Sequence, residues 1–94
     1  MADYAVDFDA ALREWVFSYN PSDEHYDALD EWATALETNG PPPIVGYAQD
    51  GLRIAEGPNG EQVYYDVVAV PVESGPPFGI IGVKQIHPSP LGRA

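Results

Sequence analysis

The sequence predicts a single α+β domain in which a helical hairpin packs on a three- to five-stranded antiparallel sheet, in the order β-α-α-β-β-β. Three observations carry this. Two segments in the first forty residues repeat apolar side chains at helical spacing, the later segments are rich in β-formers and punctuated by turns, and no alternation of strand and helix continues beyond Gly40.

The elements follow in order. Tyr4, Val6 and Phe8 alternate with Asp3, Ala5 and Asp7, the period of a half-buried strand. From Asp9, read as an N-cap, the period changes. Phe8, Ala11, Leu12, Trp15, Val16 and Tyr19 form one stripe of a helix. Asn20 is expected to cap the second helix with Pro21 at its first position, where the missing N–H costs nothing. Tyr26, Leu29, Trp32, Ala33 and Leu36 make its stripe, and Asn39-Gly40 followed by three prolines ends it. Trp15 and Trp32 are assigned to packing.

Ile44 to Ala48 reads as a short strand, Gly51 to Glu56 as a second, and Gly57-Pro58-Asn59-Gly60 as a turn. Gln62 to Val72 is apolar on both faces and reads as a central strand with Pro71 at its exit. After the Ser74-Gly75-Pro76-Pro77 loop, Phe78 to Ile86 is the last strand, with Gly79 and Gly82 marking a bulge or a place where another backbone comes close. Residues 1–88 form the domain and 89–94 a frayed tail. Exposed edges at the first and last strands would allow a homodimer by edge pairing.

The chain has 94 residues, no cysteine and a formal charge of −11. The missing cysteine excludes disulfides, zinc–thiolate sites and a thiol nucleophile. Residues 1–40 hold ten acids against the single base Arg13. Such a surface repels phosphate backbones and anionic lipid, so direct nucleic-acid or membrane binding is disfavoured and a basic protein partner is favoured. The first residues lack the basic and apolar regions of a signal peptide, and no apolar run reaches eighteen residues; the expectation is a cytoplasmic protein.

The second helix is the main clue to function. Asp23, Glu24, Asp27, Asp30, Glu31 and Glu37 fall within it, and it has no Lys or Arg. Its like-charge pairs at three- and four-residue spacing cost roughly 0.2–0.5 kcal/mol each. The face is therefore not kept for the helix's own stability. One reading makes it a binding face for a basic partner, such as the groove of a nucleic-acid-binding enzyme blocked by a phosphate-mimicking inhibitor or immunity-type protein of phage or mobile-element origin. No GxSxG, HExxH or phosphate-loop pattern is present. His25 has no second His at helical spacing and reads as a surface residue, so no metal and no cofactor are expected. Asp66, in the central strand, calls for a partner such as Arg53 or Lys84 if it is buried.

YAVDFDAALREW, GLRIAEGPNGEQVYYDVVAV and IIGVKQIH, taken in this order, resemble the opening strand and helix, the middle hairpin and the closing strand of the RelE/ParE toxins of type II toxin–antitoxin systems. The resemblance implies Arg53, Lys84, His87 and Tyr65 (or Tyr64) as catalytic groups of an mRNA endoribonuclease, gathered on the concave face of the sheet. The chemistry would need a base for the 2′-hydroxyl, cations for the phosphate and an acid for the leaving oxygen. The charge of −11 departs from the basic RNA-cutting members. The resemblance then implies a protein-directed toxin–antitoxin component with weak or no ribonuclease activity, its partner an antitoxin or a cellular target.

Overall fold

The computed structural model describes residues 4–70 and 78–88. It is an α+β structure, with two helices packed on a five-stranded sheet. In chain order the elements are β1 (Tyr4–Asp7), α1 (Asp9–Tyr19), α2 (Asp23–Asn39), β2 (Gly46–Tyr47), β3 (Arg53–Glu56), β4 (Gln62–Val70) and β5 (Phe78–His87). Across the sheet they lie β1-β5-β4-β3-β2.

The sheet is mixed rather than antiparallel. β1 runs parallel to β5, pairing Tyr4 with Gly79 through Asp7 with Gly82. The last strand is consequently interior along that stretch, and the two edges are β1 and β2. Strand length gives the reason. β4 and β5 are the longest strands and pair along their full length, while the four-residue β1 docks on β5, the strand that α1 also covers.

Both helices sit on one face. α1 contacts β5 and α2 contacts β1. The core between the layers joins Ala11, Leu12, Trp15, Leu29 and Leu36 to Ala55, Val63, Tyr65, Ile81, Val83 and Ile86, with Trp32 packed against it. The predicted stripe of α1 is narrower than its spacing suggests. Val16 is 36% exposed and Tyr19 46%, because a helix seated over one strand buries only the row directly above it.

The caps differ from expectation in an instructive way. α2 is capped by Ser22, whose Oγ accepts the His25 backbone N–H at 3.2 Å, and not by Asn20. Asn20 instead ends α1 in the left-handed region at φ 47°, its N–H donating to the Val16 carbonyl. Asp9 lies in the first turn of α1, and the N-cap position is Phe8, with no side-chain cap. Gly40 closes α2 as expected, its N–H donating to the Leu36 carbonyl.

The glycines of β5 mark neither the bulge nor the approach of another backbone; what a Cβ would meet there is side chain, the Tyr4 ring at Gly79 and the Asp66 carboxylate at Gly82. A Cβ on Gly79 would stand 2.6 Å from the Tyr4 ring. The bulge lies further on, where Tyr64 pairs with Gln85 but Tyr65 pairs with Val83, leaving Lys84 as the extra residue. Pro71, Val72, the Ser74–Pro77 loop and the expected tail lie outside the described residues.

Candidate functional site

Residues paired across neighbouring strands share a face, so the register sorts the expected site residues. Arg53 pairs with Tyr65, and Tyr65 with Val83, all on the helix side. Tyr65 is 1% exposed, and its hydroxyl donates to the Pro42 carbonyl at 2.9 Å. Burial pushes its phenol pKa up, partly offset by the Arg53 guanidinium. A phenol so placed is a packing group, which corrects the expectation that Tyr65 joins an open catalytic face. Alternation left either tyrosine of the pair Tyr64-Tyr65 free to point inward; the hydrogen bond to Pro42 belongs to Tyr65.

The uncovered face carries Ile54, Tyr64, Asp66, Gly82, Gln85 and His87. The four expected catalytic residues fall into two separate pairs, Arg53 with Tyr65 on the helix side and Lys84 with His87 in the lining of one cleft. His87 is the centre of a small polar and aromatic group. Its Nδ1 lies 3.3 Å from the Tyr19 hydroxyl and its Nε2 2.9 Å from Gln85 Oε1. The Tyr64 ring meets it edge-on with centroids 5.1 Å apart. Gln85 Oε1 can only accept, so Nε2 carries a proton; in the neutral ring Nδ1 then accepts from Tyr19. Both nitrogens are engaged, and neither is free to take a proton from a substrate unless Tyr19 or Gln85 swings away.

Lys84 and Gln85 are both exposed because the bulge interrupts the alternation between them. Asp66 is half-buried and faces Gly82, and the Lys84 ammonium lies near the same glycine. A Cβ on that glycine would stand 2.7 Å from Asp66 Oδ1 and 3.5 Å from Lys84 Nζ. Arg53, the other partner expected for Asp66, is on the opposite side of the sheet. Tyr19 and Gln85 are site residues that nothing in the sequence singles out. Tyr19 reads as the end of a helical stripe, and its approach to His87 exists only once α1 lies along β5.

A cleft of about 320 Å³ opens between α1 and the end of β5, lined by Ala11, Glu14, Trp15, Ser18 and Tyr19 and by Lys84 to His87. On the uncovered face a shallow concavity runs from Tyr64 and Gln85 to the β2–β3 loop. Among the described residues, no group of His and acidic side chains could hold a metal ion. None of the described helices is long and apolar enough to cross a membrane.

The acidic helix is the second candidate. Asp23, Glu24, Asp27, Asp30 and Glu31 are exposed, and Glu37 is half-buried at the margin of the face. Leu29, Ala33 and Leu36, on the other side of α2, are buried. The neighbouring helix presents Phe17 to solvent at 87% exposure. No protein-family model, no curated protein and no solved structure matches the chain.

Proposed function

We propose that the chain acts by binding protein, its acidic α2 face taking up a basic partner. The observation that carries this is the outward display of Asp23, Glu24, Asp27, Asp30 and Glu31 on a helix with no cation of its own. Unbalanced charge of this kind raises the rate of encounter with a basic surface and releases mutual repulsion when the partner arrives. The partner class that fits is a protein whose groove holds nucleic-acid phosphates, since spaced carboxylates supply the same charge. The chain would then be an inhibitor or immunity-type protein. An antitoxin segment or another cellular target is the partner in a RelE/ParE-like reading.

Catalysis is the weaker reading because Arg53 and Tyr65 lie across the sheet from Tyr64 and His87. One observation favours it: His87 meets the Tyr64 ring edge-on and shares the lining of one cleft with Lys84. Arrested growth on induction in bacteria, relieved by Lys84→Ala and by His87→Ala, is what that reading requires.

The binding reading is tested by placing a photo-reactive amino acid at Asp27 and, as a control away from α2, at Asn59. Expected is one adduct with a basic protein from Asp27, absent from Asn59 and lost when Asp30 and Glu31 are changed to Lys. Equal capture from both positions would overturn it.

A further inference from the structure

β5 is ten residues long, yet β1 pairs with it only from Gly79 to Gly82, because the chain turns away at Phe8 to begin α1. From Val83 to His87, β5 has β4 on one side. On its other side no strand among the described residues pairs with it. Half of one strand edge thus has no strand neighbour, in line with β1, and its backbone groups are those an added strand would pair with; at its far end the Tyr19 hydroxyl lies 3.3 Å from His87 Nδ1. α1 overhangs this same edge and leaves the cleft of about 320 Å³, into which Ala11, Trp15 and Ile86 present apolar surface. A strand laid beside β5 sits about 4.8 Å away and turns every second side chain to the helix side, toward that cleft.

The occupant follows from charge and shape. Asp7 ends β1 at the head of the open track, Asp9 begins α1 beside it, and Glu14 lines the cleft. Lys84 is the one cation among the cleft-lining residues, and the chain as a whole carries −11. A second copy would bring the same excess of negative charge to the edge. We propose that Val83–His87 accepts an extended basic segment of a partner protein as an added strand, one aliphatic side chain seated between Trp15 and Ile86. The site is separate from the acidic face of α2 and stands or falls independently of it.

The probe is an eight-residue acetylated and amidated peptide alternating Lys and Val, titrated into the full chain and followed through backbone amide resonances. Two further peptides carry N-methyl groups on one or the other alternate set of amides. Expected are shifts at Val83–His87 and along α1, slowed amide exchange at Val83–His87, and at least tenfold weaker binding by one methylated peptide. Ser18→Trp fills the cleft from an exposed position; it should weaken binding at least tenfold with the melting temperature unchanged. Absence of saturable binding, equal affinity for all three peptides, or shifts confined to α2 would overturn the proposal. So would concentration-dependent shifts at Val83–His87 without peptide, which would give the edge to a second copy.

Discussion

The hydroxyl of Tyr65, at the centre of the sheet, donates a 2.9 Å hydrogen bond to the carbonyl of Pro42, in the segment that follows α2. α2 ends beside β1 and β2 lies at the far edge, so residues 40–45 must carry the chain across the sheet. Three consecutive prolines allow that crossing no helix and no ladder, and Pro42 is nevertheless buried. Tyr65 gives its carbonyl the partner that buried backbone requires.

Tyr65→Phe removes that donor while keeping the ring. The expected loss is about 1–2 kcal/mol, the cost of a buried hydrogen bond whose acceptor is left bare. The phenol pKa is raised on folding, so its stabilisation is full below the ordinary value of 10.0 and is lost as pH rises through the folded value. Chemical denaturation between neutral and strongly alkaline pH should therefore show a smaller decline in stability for the Phe variant than for the wild type.

Gly79→Ala should cost more than Gly82→Ala. At Gly79 the new methyl would meet the Tyr4 ring at 2.6 Å, and the ring is packed against the core, so β1 must shift. About 1–3 kcal/mol is expected from such overpacking. At Gly82 the obstacle at 2.7 Å is a carboxylate oxygen of Asp66, the far end of a side chain that can rotate aside. Equal losses in the two variants would contradict this account.

Glu61 is 2% exposed. Its Oε1 accepts the Asn59 N–H at 2.9 Å and holds the β3–β4 turn, while Oε2 has no partner in the described structure. Glu61→Gln keeps an acceptor for the Asn59 N–H, so it should lose less stability than Glu61→Ala. Glu61→Ala leaves the Asn59 N–H without its partner and should lose about 1–3 kcal/mol. Thermal unfolding of the two variants side by side decides it.

Asp27→Lys should stabilise the isolated chain while harming its binding. The new ammonium stands three or four residues from Asp23, Asp30 and Glu31 and turns repulsions into attractions of roughly 0.2–0.5 kcal/mol per pair. The gain should shrink between low and high salt, as expected of exposed charges. A variant less stable than the wild type at low salt would show that Asp27 has a structural role.

The sequence by itself determined the local elements and their inward faces. Helical spacing is a property of neighbours three and four apart, so Leu29, Ala33 and Leu36 were legible, as were the Gly40 stop and the acidic face opposite them. It could not assign the caps at Asn20 and Ser22, because both residues suit a helix end and the choice rests on where α1 stops against β5. Nor could it give the parallel pairing of β1 with β5, the bulge at Lys84, or the separation of Arg53 and Tyr65 from His87. Strand register depends on contacts between segments some seventy residues apart, and one extra residue reverses every side chain beyond it. The grouping of Tyr19, Tyr64, Gln85 and His87 is of that kind, and only the tertiary structure decided it.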